Sequence, residues 1–75
     1  MKVPAFKSGE YIAKRIPFES NGNLKADQRG DLYIVWSYST IIATWTEEGG
    51  WSLNNVKYST ITSRHQSIVR KAVGA

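Results

Sequence analysis

The side chains with the clearest chemical use lie near the C-terminus, where Lys57, Arg64, Arg70 and Lys71 follow one another with no acidic residue among them. Cations spaced along one short segment displace condensed counterions from phosphate, and Gln66 between them can hydrogen-bond a base edge or a sugar. These five residues are the candidate nucleic-acid-binding set. His65 is the only imidazole of the chain. It falls beside Ile68 and Val69 on a helical spacing, which suits either packing at a helix boundary or contact with a ligand. Glu47 and Glu48 are neighbours, and adjacent carboxylates at a strand end point to different sides, so they read as a solvated hairpin tip. No base stands beside a nucleophile and no glycine loop precedes a helix, so the chain is expected not to be an enzyme and to use no cofactor. One histidine and no cysteine leave neither a disulfide framework nor a protein-only zinc site.

The elements that must carry these residues follow from pattern. Leu32 to Thr46 is dense in Ile, Val, Thr, Tyr and Trp, which suit a pleated surface. Alternation puts Leu32, Ile34, Trp36 and Tyr38 on one side and Tyr33, Val35 and Ser37 on the other, so Tyr33 is the aromatic expected at a surface patch. Fifteen residues exceed one strand, so the run breaks near Ser39 and resumes from Ile41 to Thr46. Glu47 to Gly50 makes a hairpin loop into Trp51, and Asn54-Asn55 separates Trp51–Leu53 from a further strand at Val56–Ser59. At least two of Trp36, Trp45 and Trp51 are expected in the core, clustered by cross-strand pairing.

Ahead of this run, Ser20 to Asn23 is a turn flanked by short strands at Phe18–Ser20 and Asn23–Ala26, and Asp27 to Asp31 reads as a loop. One short strand is expected around Tyr11 to Ala13, before Pro17. At the other end the period changes. Ser63 and Gln66 fit a capping box, and Ile68, Val69, Ala72 and Val73 recur at helical spacing opposite a stripe of Arg64, Ser67 and Lys71. A helix of about ten residues does not persist alone in water, so this one must dock on the sheet.

The expected architecture is therefore α+β: a small antiparallel β-meander packed by one C-terminal α-helix. It forms a single domain over residues 1–75, with 1–31 an N-terminal segment, 32–60 the meander and 63–73 the helix. Seventy-five residues leave no room for a second core, and a domain this small gains from self-association. At 41% hydrophobic and 21% charged the composition is that of a folded chain. Its longest apolar stretch, Leu32 to Trp36, is far short of the roughly 20 residues that span a bilayer, so no membrane contact and a cytoplasmic location are expected.

The segments 33–43, 51 and 57–66, reading YIVWSYSTIIA, W and KYSTITSRHQ, resemble a group of small proteins encoded by bacteriophages. The likeness covers about Leu32 to Arg70, and Ile41 stands where proline is frequent in that group. It implies a viral protein of phage or prophage origin, of unknown function, acting in the host cytoplasm, and supplies no mechanism. Two functions are expected to compete: DNA or other nucleic-acid binding through the basic helix, and a protein-binding module that engages a host or phage protein, or itself, through an aromatic patch or strand edge.

Overall fold

The computed structural model describes residues 2–4, 7–20, 23–54, 56 and 58–74. Six strands lie in chain order in one sheet: β1 (Lys2–Val3), β2 (Phe18–Ser20), β3 (Leu24–Arg29), β4 (Leu32–Ser37), β5 (Thr40–Thr46) and β6 (Gly50–Leu53). From β2 to β6 every neighbour is antiparallel, so the meander expected over 32–60 begins earlier, at Phe18, and ends at Leu53; β1 alone runs parallel to β2. A parallel pair needs a crossover, and helix α1 (Ser8–Ala13) supplies it. Helix α2 (Thr60–Val73) closes the chain. The fold is a small α+β layer pair.

Several local expectations are corrected. Tyr11 to Ala13 is helical, because Ile12 and Ser8, one turn apart, are both buried and Gly9 lets α1 lie against Ile68 and Ala72 of α2. Packing overrides the β propensity of Tyr and Ile. The helix stops in a Schellman motif: the Ile16 N–H donates to Tyr11 O at 2.9 Å and the Arg15 N–H to Ile12 O at 3.0 Å, with Arg15 left-handed at φ 55°. Strand β3 continues through Asp27 to Arg29, so only Gly30-Asp31 is left for the turn. Val56 and Tyr58 are not in a strand, so the meander ends at Leu53 and a connection leads into α2. Asn21, Gly22 and Asn55 lie outside the described residues.

Both helices cover the face of the sheet that carries Phe18, Leu24, Ala26, Tyr33, Val35 and Ala43, and Ile12 and Val69 complete that core. This reverses the expected orientation of β4. Tyr33 is fully buried, its ring set edge-on to Trp51 at 6.0 Å and its hydroxyl donating to Ile16 O at 2.9 Å. Trp45 and Trp51 pack against the core, while Trp36 takes the opposite face. Periodicity cannot choose between two apolar faces of one strand; the docking of the helices chooses. A β-bulge settles β5: Val35 pairs with Ala43 but Trp36 with Ile41, so Ile42 is the extra residue and both Ile42 and Ala43 are buried.

Candidate nucleic-acid interface

Helix α2 is oriented by what it buries. Its cap is Ser59, whose Oγ accepts the Thr62 N–H at 3.3 Å. Ser63 already donates its N–H to Ser59 O, so the expected capping box at Ser63 and Gln66 does not form. Thr62, His65, Gln66 and Val69 face the sheet. Ser37 Oγ, fully buried on β4, lies 3.2 Å from Thr62 Oγ1 and shares a 2.6 Å hydrogen bond with His65 Nδ1. A serine beside an imidazole is the pairing that acyl transfer uses. Here the hydroxyl has no accessible surface, so the network binds helix to sheet and offers no nucleophile.

Gln66 is corrected as a nucleic-acid contact. It is 5% exposed, and its Nε2 donates to Asn54 O at 2.6 Å and Val56 O at 3.0 Å, which ties the β6–α2 connection to the helix. Arg64, Arg70 and Lys71 are exposed. Arg64 and Lys71, seven residues apart, fall about 20° apart around the axis and about 10 Å along it, in one line, whereas Arg70 lies on the flank. Lys57 lies outside the described residues. Gly74, left-handed at φ 76°, ends the helix with its N–H on Arg70 O, and Arg70 and Lys71 complement the dipole of the last turn.

The charge sorts by layer. The described helical segments, 7–15 and 58–74, carry Lys7, Lys14, Arg15, Arg64, Arg70 and Lys71 against Glu10 alone, and Glu10 is held by Lys14 at 3.3 Å. The sheet and its turns carry five acids against Lys2, Lys25 and Arg29. Lys7, Lys14 and Arg15 fall outside the set expected from sequence because no helix is expected around them, only a short strand at Tyr11 to Ala13; the spacing of Lys7 and Lys14 by seven, as between Arg64 and Lys71, is the available signal. On the uncovered face, Lys25 and Arg29 stand 5.6 and 5.5 Å from the Trp36 ring centroid. Arg29 also bonds Asp27 at 3.1 Å, and this, with the Gln28 N–H, holds the Asp27 carboxyl below its usual range.

A model of a protein family described as a family of unknown function, DUF8033, matches residues 7–72, from the start of α1 to nearly the end of α2. The chain belongs to this family. The match takes in both helices and strands β2 to β6. No curated protein matches, and no solved structure matches. Among the described residues no helix is long and apolar enough to cross a membrane, and no cluster of His, Asp and Glu could hold a metal ion.

Proposed function

We propose that this DUF8033 protein is a non-enzymatic nucleic-acid-binding accessory protein, of the small phage type that residues 32–70 resemble, and that its helical layer meets the phosphate backbone. The observation that carries this reading is the sorting of charge. Arg64 and Lys71 line one exposed ridge, the neighbouring helix adds Lys7 and Lys14, and Glu10 is the single acid among the described residues of that layer. A polyanion approaching this side meets cations almost alone. Fluorescence anisotropy with labelled oligonucleotides at rising salt tests it: log affinity should fall linearly with log salt, and Arg64→Ala with Lys71→Ala should lower the slope by about two. Absence of binding to single or double strands at low salt overturns the reading.

The uncovered sheet face favours a second reading, a protein-binding or self-associating module. Trp36, Leu32 and Ile41 share that face, where Lys25 and Arg29 stand among Glu19 and Asp27, so its charge is mixed and its apolar side chains can meet an apolar partner. Under this reading the mass in solution rises with concentration and Ile41→Lys restores the monomer, while loss of Arg64 and Lys71 changes nothing.

A further inference from the structure

Six large apolar side chains are exposed among the described residues, and five of them lie on segments joined by Asn54 or by the Tyr38–His65 ring pair. Tyr38 and Ile41 belong to the β4–β5 hairpin, Val56 and Tyr58 to the β6–α2 connection, and Ile61 to the first turn of α2. Their juxtaposition is built. Asn54 donates from Nδ2 to both Ile41 O and Tyr58 Oη, each at 3.0 Å, and its Oδ1 accepts the Val56 N–H at 3.0 Å. The Tyr38 ring lies 6.4 Å from the His65 ring, one helical turn beyond Ile61. Tyr38 and Tyr58 are both 45% exposed, so each ring keeps much of its surface in water.

Tyr38 is also held at φ 56°, its N–H donating to Asn23 O at 2.9 Å. A bulky residue in that region is strained, and glycine or asparagine would sit there with little strain. Arg64 precedes His65, the residue beside the Tyr38 ring, and there, one turn after Ile61, the Arg64–Lys71 ridge begins; the sequence has no acid after Glu48. Exposed rings beside a line of cations are the two halves of a single-strand site. A ring stacks on any base that is already unstacked, while the cations track the phosphates. In a duplex the base faces are covered, and a tyrosine reaches them only after the stack is opened.

We infer that the β4–β5 and α2 end binds single-stranded nucleic acid, with Tyr38 and Tyr58 as stacking platforms and Arg64 and Lys71 holding the backbone. This rests on the nucleic-acid reading above and narrows it to one substrate class. The test compares a labelled mixed-sequence single strand with a hairpin duplex of equal length, by anisotropy at fixed low salt. The single strand should bind more tightly. Tyr58→Ala should weaken it by about five- to a hundred-fold with the salt slope intact, Tyr58→Phe should retain binding, and the duplex should be little affected. Tyr38→Asn, which keeps a residue tolerant of the left-handed backbone, should repeat the loss, with circular dichroism confirming the fold. If both nucleic acids bind but the tyrosine variants are indifferent, or the duplex binds as well as the single strand, this inference falls while the broader reading stands. In the first case the patch belongs to a protein partner. If neither nucleic acid binds, both fall.

Discussion

Gln66 and Tyr33 are polar groups that the fold uses against itself, so each is a residue whose loss has a stated cost. Gln66 satisfies two backbone carbonyls of an irregular connection from a nearly buried position. Gln66→Ala leaves both carbonyls without that donor and should cost about 1–3 kcal/mol, read as a lower midpoint in urea. Gln66→Glu should cost more, since a carboxylate would face two carbonyl oxygens. Tyr33 is pushed above its ordinary value by burial, against a small opposing effect of Arg15. The sign follows from linkage: below about pH 10 both folded and unfolded chains keep the phenol protonated, and above it the unfolded chain ionises first. Stability should therefore fall as the pH rises past about 10. Tyr33→Phe should flatten that alkaline limb, at a cost near neutrality of about 1 kcal/mol for the lost bond to Ile16 O. Urea titrations at a series of pH values measure both effects.

At the scale of the elements, α2 was legible because its apolar stripe is long and regular, whereas its start was not. Ser59 and Ser63 both precede good helical sequence, and only the course of the chain out of β6 decides which one caps. Ser59→Ala should cost about 1 kcal/mol, while Ser63→Ala should have a much smaller effect; thermal melts of the two variants separate these roles. Within helix α1 the residues Tyr11 to Ala13 have the types of a short strand, and six residues are too few to show a helical period. Its helicity comes from its partner. A Cβ added at Gly9 would stand 3.8 Å from both Ala72 Cβ and Ile68 Cγ2, an ordinary contact. Gly9→Ala should thus fit and stabilise by about 0.5–1 kcal/mol, raising the melting temperature by several degrees. A lower melting temperature would mean that the two helices pack more closely than this.

For the whole molecule, the formal charge of +4 conceals a separation: six cations and one acid lie on the described helical segments, and the other five acids lie on the sheet and its turns. The salt slope of polyanion binding counts the phosphates contacted and does not follow net charge. Glu47→Gln with Glu48→Gln raises the net charge by two but should leave the slope unchanged. The Arg64 and Lys71 pair lowers net charge by the same amount and should lower the slope by about two. Salt titrations of both pairs check this, and an equal response would mean that overall charge, not the ridge, governs binding.

Local pattern was enough to determine a meander that includes β4, β5 and β6, the hairpin at Glu47 to Gly50, and an amphipathic C-terminal helix with Arg64 and Lys71 outward. Strand propensity and helical period are set by neighbours in the chain, so the residues carry them unaided. Tertiary structure alone decided that Tyr33 is inside and Trp36 outside, that Gln66 and His65 are framework, and that Asn54 joins Tyr58 to strand β5 while the Tyr38 ring lies beside His65. Each of these depends on which surface of a two-faced strand the helices cover, a choice made by packing between residues far apart in the chain.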